Sequence, residues 1–188
     1  MKNIWIILGA IALMLLMAFG WYKGEYDKII SLDQQVKASW AQVENQLQRR
    51  FDLIPNLVNT VKGYAQHEKT LLEEVTRLRS QWTNAPTVSE KVDAANALTG
   101  ALSKLMVISE NYPSLKANEN FITLQSQLEG TENRIAVERM RYNQAAEKLN
   151  AYQQSFFGRF FAKQTGKIEP AIYFKSTQGA AVAPTVQF

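Results

Sequence analysis

Side chains that could catalyse a reaction or bind a metal are sparse in this 188-residue chain. His67 is the single histidine, and cysteine is absent. Zinc sites need several His or Cys ligands, and an activated nucleophile needs a neighbouring base. A lone histidine in a polar stretch therefore indicates a solvated turn residue, and carboxylate pairs such as Glu73 and Glu74 indicate a solvated helix surface. We expect no enzymatic activity, no metal site and no bound cofactor.

Two charged residues placed within an apolar pattern are the less ordinary feature. Apolar residues recur at two positions of every seven from Val36 to Trp82, and only Arg50 and Glu68 interrupt them. Burying a guanidinium requires a partner, so these positions predict charged pairs across packed helices. The acidic residues available to Arg50 are Glu119, Glu129, Glu132 and Glu138. We interpret such pairs as devices that fix helix register, in preference to a ligand site.

The seven-residue repeat around these charges predicts long helices, each burying one side against its neighbours. It returns in the second half of the chain, from Phe121 to Phe156. Pro55 lies inside the first repeat and predicts either a kink or a helix that restarts with Asp52 as its N-cap. The predicted seam residues, which line the buried side, are Trp40, Leu47, Ile54, Leu57, Val61, Phe121, Leu128, Ile135 and Tyr142.

Three polar or proline-containing stretches divide the pattern into helices. We expect breaks at residues 63–69, 83–87 and 111–113. Thr87 or Ser89 is the expected N-cap after the second break, and Glu90 completes a capping box with Thr87. The last helix is expected to begin near Ser114. About four helices with short connections predict an all-α fold, an antiparallel up-and-down four-helix bundle. We assign residues 25–174 to this bundle and 175–188 to a flexible tail.

An uncharged segment precedes the bundle at Ile4–Tyr22. Its helical length is about 30 Å, close to the hydrocarbon thickness of a bilayer, and aromatic residues stand at both ends. The predicted anchor within residues 1–24 includes Ile4, Trp5, Leu8, Leu15, Phe19, Trp21 and Tyr22. The alternative is a cleaved signal peptide with a site at Ala18–Gly20. We favour the anchor because the apolar run is longer than a usual signal core and leads directly into helical sequence.

Flanking charges encode the orientation of this anchor only weakly. Lys2 precedes the segment and Lys23 and Lys28 follow it, so the positive-inside rule is nearly balanced. Because a short basic N-terminal tail is common in signal anchors, we expect the bundle on the extracytoplasmic side of the inner membrane. The net charge of +4 suits an anionic membrane surface. No dense Lys/Arg block is present, and we expect no nucleic-acid partner.

A phenylalanine-rich stretch follows the last repeat. Its members are Phe156, Phe157, Phe160 and Phe161, with Arg159 and Lys163 beside them. Aromatic rings next to cations suit a membrane surface or a contact between subunits. The same rings can equally fold back on the core as a cap at the end of the bundle. The residues alone leave both interpretations open.

Polar residues between the apolar positions form a further pattern. The segments concerned are Ser31–Lys37, Trp40–Arg50, Asp52–Val58, Val61–Ala65, His67–Glu68, Glu110–Pro113, Leu115–Phe121, Leu128–Ile135 and Arg141–Asn143. They closely resemble the LemA family, from the anchor to Phe174. The resemblance is specific because it includes exposed positions that amphipathicity alone leaves free. The chain departs from it at Phe156–Phe157, where relatives often carry Phe-Pro, and at Lys167, where they often carry an aromatic residue.

This resemblance implies a bacterial membrane protein with one N-terminal span and an antiparallel four-helix bundle. No enzymatic activity is established for the family, and some relatives are associated with the formation of internal membranes. We therefore expect a single-pass inner-membrane scaffold that forms a homo-oligomer and shapes membranes. Its partners would be the lipid bilayer and a membrane protein. The alternative is a monomeric adaptor or sensor that presents its bundle to a membrane protease or to a ligand.

Overall fold

The structure, a computed structural model, describes residues 2–174 and is helical over that range apart from the connections and the segment 166–174 after the last helix. The helices are α1 (Lys2–Lys62), α2 (Lys69–Asn84), α3 (Val88–Ser109), α4 (Pro113–Lys116), α5 (Glu119–Gln154) and α6 (Phe156–Thr165), with a 3₁₀ turn at Gln66–Glu68. The predicted all-α class is confirmed. The tail predicted at 175–188 lies outside the described residues.

Helix α1 continues through Gly24 and Pro55 without a break. The alternative of a helix restarting at Asp52 is wrong, since Asp52 lies within the helix and accepts a hydrogen bond from the Gln48 side chain at 2.7 Å. Proline inside a helix costs about 3 kcal/mol. Ile54 and Leu57, on either side of it, are completely buried. Because burying each such side chain contributes about 1.5–3 kcal/mol, the core offsets the cost of the proline.

Contacts within the described range divide the chain into two compact units. The first comprises residues 2–40 and 141–173, and the second comprises residues 41–140 together with Phe174. Helices α1 and α5 therefore each contribute residues to both units. Helix α1 has no break at residue 24, where the boundary between anchor and bundle was predicted.

In the second unit the predicted breaks fall where polar and proline residues are concentrated. Helix α1 ends at Lys62, before the 3₁₀ turn. Helices α2 and α3 are joined by residues 85–87 and pack against each other. The Thr87 hydroxyl accepts a hydrogen bond from the Glu90 amide at 3.2 Å and lies 3.0 Å from the Glu90 carboxylate. Thr87 is therefore confirmed as the N-cap. A capping box would place the Glu90 carboxylate on the Thr87 backbone amide, whereas here it accepts from the Thr87 hydroxyl.

The start of the last long helix differs from the prediction. The chain after Tyr112 forms the single turn α4, and α5 begins only at Glu119, not near Ser114. The reason is a competing cap: the Asn118 side chain accepts a hydrogen bond from the Phe121 amide at 3.0 Å. Leu115, inside α4, is buried. One buried leucine and one asparagine cap thus divide a stretch that periodicity alone assigns to a single helix.

In the first unit, an extended segment after α6 lies along α5. The Asn150 side chain donates to the Ala171 carbonyl at 2.9 Å and accepts from the Ala171 amide at 2.8 Å. The Gln153 side chain donates to the Lys167 carbonyl at 2.7 Å. Lys167 also lies 3.0 Å from a carboxylate oxygen of Asp33 in α1. In a helix or a strand, backbone groups pair with other backbone groups. In the extended segment, side chains of α5 take that place.

Candidate membrane-surface site

Among the described residues, α1 is the one helix that is long and apolar enough to cross a bilayer. An 18-residue window near its N-terminus has a mean hydropathy of 2.4, and none of that window is buried inside the protein. A core helix of similar composition would be covered by its neighbours. The predicted anchor residues that lie exposed are Ile4, Trp5, Leu8, Leu15, Phe19 and Trp21. Tyr22, at the end of the predicted anchor, is half-buried.

Helix α6 is positioned by a tight turn at the end of α5. The Ser155 hydroxyl accepts a hydrogen bond from the Gly158 amide at 3.1 Å and donates to the Tyr152 carbonyl at 2.7 Å. Gly158 is needed because a Cβ at this position would lie 1.7 Å from the Tyr152 carbonyl oxygen. The other end of α6 is closed by Gly166, whose φ of 70° is left-handed. Both ends of this ten-residue helix therefore have defined caps.

Aromatic rings of α6 contact the end of the apolar segment within the first unit. The ring centroids of Phe157 and Trp21 lie 4.9 Å apart, and those of Phe161 and Tyr22 lie 5.2 Å apart. Both pairs have the edge-to-face geometry that aromatic quadrupoles favour, worth about 0.5–1.5 kcal/mol each. We call Trp21, Tyr22, Phe156, Phe157, Phe160 and Phe161 the interfacial aromatic cluster.

The phenylalanines of this cluster do not share one environment. Phe161 is only 1% exposed and faces inward with Gly158 and Ala162. Phe156 is 85% exposed, Phe160 is 59% exposed and Phe157 is 49% exposed. One ring thus belongs to the core, as expected of a bundle cap, while three rings are presented outward. Phe157 and Phe161 are one helical turn apart and lie on the same side of α6, yet Phe161 is buried and Phe157 is half-exposed.

The exposed rings form part of an open groove of about 800 Å³. It is lined by Trp21, Tyr22, Gln154, Phe156, Phe157, Arg159, Phe160, Phe161 and Lys163. Two lining residues are cations and none is a carboxylate. Arg159 and Lys163 are four residues apart, so they form a row along α6. The groove therefore combines an apolar floor with a positive edge.

A hydroxyl–carboxylate pair attaches α5 to α1 close to this groove. The Tyr152 hydroxyl lies 2.8 Å from a carboxylate oxygen of Glu25 and 3.1 Å from the Glu25 carbonyl oxygen. Lys28 lies over the Tyr152 ring, 4.8 Å from its centroid. Burial raises the pKa of Tyr152, and the hydrogen bond to Glu25 and its charge raise it further. The phenol is therefore neutral and acts as a hydrogen-bond donor.

The second unit contains a buried charged cluster at Arg50, which is 4% exposed. One guanidinium nitrogen lies 2.6 Å from a Glu132 carboxylate oxygen and donates to the Thr99 hydroxyl at 3.0 Å. Burial lowers the pKa of Arg50, and Arg139 lowers it further, while Glu132 opposes both effects. Arginine stays protonated despite such shifts. The cluster thus joins α1, α3 and α5 by polar contacts.

The other predicted polar residues occupy different surroundings. Glu68 accepts a hydrogen bond from the Tyr112 hydroxyl at 3.1 Å. Glu119 lies exposed in the first turn of α5, and His67 is exposed in the 3₁₀ turn. Across the described residues, no group of three or more His, Cys, Asp or Glu side chains is arranged to hold a metal ion.

The predicted seam residues lie where the seven-residue repeat places them. The members with at most 6% exposure are Leu47, Ile54, Leu57, Val61, Phe121, Leu128, Ile135 and Tyr142. Trp40 is half-buried, and its ring centroid lies 5.8 Å from that of Tyr142. Tyr64, also in phase, is exposed because α1 ends two residues earlier.

Three positioning residues were missed by reasoning from the sequence: Asn150, Gln153 and Gly158. The two amides lie on the seam side of α5 but bind an extended segment whose path no periodicity predicts. Gly158 had a usable signal, since a glycine within an aromatic run indicates close backbone approach. Ser155 three residues before it and Gly166 after it together resemble the start and stop of a helix.

Comparison with known proteins gives one family and several distant relatives. The LemA family model matches residues 39–188. Magnetosome proteins MamQ 1 and MamQ 2 of Paramagnetospirillum magneticum are each 24% identical over 176 residues, covering 80% of this chain and 64% of theirs. Protein LemA of Metamycoplasma hominis is 20% identical over 153 residues, covering 81% and 70%. The chain thus spans less than two thirds of the length of the two MamQ proteins.

Proposed function

The chain belongs to the LemA family, and from that premise we propose that it is a membrane-anchored helical scaffold that assembles with copies of itself and organises or remodels the membrane. The observation that carries the proposal is the outward-facing part of the interfacial aromatic cluster at the end of the apolar segment. Three phenylalanines there are 49–85% exposed, and an exposed apolar cluster of this kind is typical of an interaction surface. The scaffold requires no catalytic residue, no cofactor and no nucleic acid.

The position of α6 along α1 supports a role at the membrane surface. Trp21 and Tyr22 occupy the end of the apolar segment, where aromatic residues lie at the level of lipid headgroups. Because Phe157 and Phe161 contact these two residues, α6 lies at the same level. In this arrangement the exposed rings enter the headgroup region or contact a neighbouring subunit. Both outcomes remove apolar surface from water, which favours association.

The contacts in the second unit support an antiparallel up-and-down four-helix bundle. Arg50 links α1 to α3 and α5, and the Phe51 and Trp82 rings of α1 and α2 stack with centroids 4.4 Å apart. The short connections between α1, α2 and α3 favour antiparallel neighbours. Such a bundle gives the scaffold a rigid body that side-chain changes on α6 leave intact.

Self-assembly would follow from confinement of the spans to one bilayer. Subunits held in a plane have a high effective concentration, so weak contacts between them add to a stable array. Two relatives are named magnetosome proteins, and with this likeness in view we propose membrane organisation as the role of this chain. A monomeric adaptor for a membrane protease or ligand is the second candidate, favoured by the open grooves on the second unit.

We place the anchor in the bacterial inner membrane and the bundle on its extracytoplasmic side. Intact-mass measurement on protein purified from membranes tests whether the apolar segment is retained, and a mature chain beginning at Trp21 would contradict it. Protease digestion of spheroplasts tests the side. The bundle should be cleaved before the membrane is broken, and protection would place it in the cytoplasm.

The central experiment changes Phe156, Phe157 and Phe160 together to Ser and leaves the buried Phe161 in place. Circular dichroism should show unchanged helix content, because the three side chains are 49–85% exposed and the buried Phe161 keeps its contact with Tyr22. Negative-stain imaging and light scattering in detergent should show loss of assembly. The matched control changes three exposed apolar residues of the second unit, Val107, Ile122 and Met140, to Ser. This variant should assemble like the unaltered protein.

Two results would contradict the scaffold. A triple phenylalanine variant that still assembles would show that the exposed rings are not the contact. An unaltered protein that is monomeric in detergent and in lipid would favour the adaptor.

A further inference from the structure

We propose that the groove between α6 and the end of the apolar segment binds one anionic phospholipid, with Arg159 and Lys163 holding its phosphate. This inference rests on the proposed membrane anchoring and adds a ligand to it. The groove includes Trp21 and Tyr22, at the end of the apolar segment. Its occupant must therefore be something present at the membrane surface.

The chemistry of the lining matches both halves of a phospholipid. The floor consists of aromatic rings, of which Phe156 and Phe160 are exposed and lie one turn apart. The edge consists of Arg159 and Lys163, also one turn apart. A guanidinium binds phosphate oxygens through two parallel hydrogen bonds, and an ammonium adds a mobile charge. Within the described residues, neither cation lies in an ion pair.

Nearby acidic groups do not neutralise this edge. Glu25 is the carboxylate closest in sequence to Tyr22, and it is engaged by the Tyr152 hydroxyl and by Lys28 at 3.8 Å. The groove therefore keeps two positive charges without an acidic lining residue. A zwitterionic lipid carries its own cation, which would be placed against the same edge. The site should consequently prefer a headgroup with net negative charge.

The size and exit of the groove also fit a lipid. A volume of about 800 Å³ exceeds what a phosphate needs and suits a headgroup with its glycerol. Met14, Met17 and Trp21 recur every three to four residues on α1, so they form one apolar row leading away from the groove. Acyl chains can follow this row into the hydrocarbon. A soluble anion would leave the row and the rings uncovered.

The test uses the full chain in detergent, titrated with phosphatidylglycerol or with phosphatidylcholine and followed by native mass spectrometry. The unaltered protein should retain one phosphatidylglycerol with about tenfold preference over phosphatidylcholine. The double variant Arg159→Gln, Lys163→Gln should lose that preference, while phosphatidylcholine retention stays unchanged. Circular dichroism checks that helix content is kept, as expected for two exposed side chains.

The matched control is the double variant Lys62→Gln, Arg77→Gln. It removes the same charge from a groove of about 750 Å³ that includes no residue of the apolar segment. It should retain phosphatidylglycerol like the unaltered protein. Equal loss in this variant would reduce the effect to net charge and overturn the site. Equal retention of the two lipids by the unaltered protein would overturn it as well.

A third arm separates a lipid site from a simple anion site. Excess inorganic phosphate should not displace bound phosphatidylglycerol, because the free ion makes no contact with the aromatic floor. Displacement would assign the groove to soluble anions. The scaffold is judged separately by imaging: a variant that loses the lipid but still assembles overturns neither assembly nor anchoring. If the unaltered protein retained the lipid but did not assemble, the scaffold would be contradicted and the lipid site would stand.

Discussion

The cluster at Arg50 and the interfacial aromatic cluster depart in opposite ways from the expected distribution of residues. At Arg50 a charged side chain is buried, and its guanidinium has a carboxylate and a hydroxyl within hydrogen-bond distance. On α6 three large apolar rings are exposed at the end of the apolar segment. The first departure is resolved by partners within the chain. For the second we propose a partner outside the chain, so the Arg50 cluster is assigned a structural role and the exposed rings a proposed role in interaction.

The largest expected effect separates core residues from the exposed rings. Leu57→Ala or Ile135→Ala should each lower the free energy of unfolding by about 2–5 kcal/mol, because both side chains are completely buried. Phe160→Ser should change it by only about 0.5 kcal/mol, as expected for an exposed position. Thermal melts of the detergent-solubilised chain measure all three. A Phe160→Ser variant as unstable as Ile135→Ala would place that ring in the core.

The next effect tests whether Arg50 depends on its partner. Glu132→Gln should lower the free energy of unfolding by about 1–3 kcal/mol, because it leaves a buried cation without its carboxylate. Arg50→Met removes the charge as well and should be close to neutral, since an apolar side chain of similar length suits the site. Denaturant melts of both variants and of the double variant give the coupling. If Arg50→Met lowers the free energy of unfolding more than Glu132→Gln does, the guanidinium itself stabilises the fold, in addition to fixing helix register.

Gly158 tests the turn that presents the exposed rings. Gly158→Ala should cost about 1–3 kcal/mol, because its Cβ would collide with the Tyr152 carbonyl and force α6 to shift. The matched control is Gly130→Ala in α5, where a Cβ meets nothing within 4 Å. That change should stabilise the helix by about 0.5–1 kcal/mol. Thermal melts measure both variants. If the two changes have equal effects, close approach to the Tyr152 carbonyl is not the reason for glycine at position 158.

The smallest effect concerns the Tyr152 hydroxyl. Tyr152→Phe should lower the free energy of unfolding by about 0.5–1.5 kcal/mol, the usual value of one hydrogen bond. The ring remains in place under Lys28, so the attachment of α5 to α1 is weakened and not lost. Phe at this position should leave lipid retention unchanged. A large loss of stability would mean that Glu25 depends on this hydroxyl in the way that Arg50 depends on Glu132.

Seam burial could be predicted from the sequence because apolar periodicity is a local property of a helix. Leu47, Ile54 and Ile135 follow from spacing alone, and each is buried. The choice of partner for Arg50 did not follow, since four carboxylates were available and only packing selects Glu132. Helix α6 was missed because its phenylalanines span only six residues. Phe156 and Phe160, like Phe157 and Phe161, are four residues apart, but so short a stretch does not establish a helical period. Its caps, Ser155 and Gly166, were present in the sequence.

The sequence by itself determined the helical class, the apolar segment, the seam and the family, because each depends on residue type at a fixed spacing along the chain. The tertiary structure decided which phenylalanines face outward, which acid pairs with Arg50 and where the segment after α6 lies. Those outcomes depend on side chains that are distant in sequence: Phe161 is buried against Tyr22, and Asn150 binds Ala171. Contacts of this kind arise only when helices pack, and no local pattern encodes them.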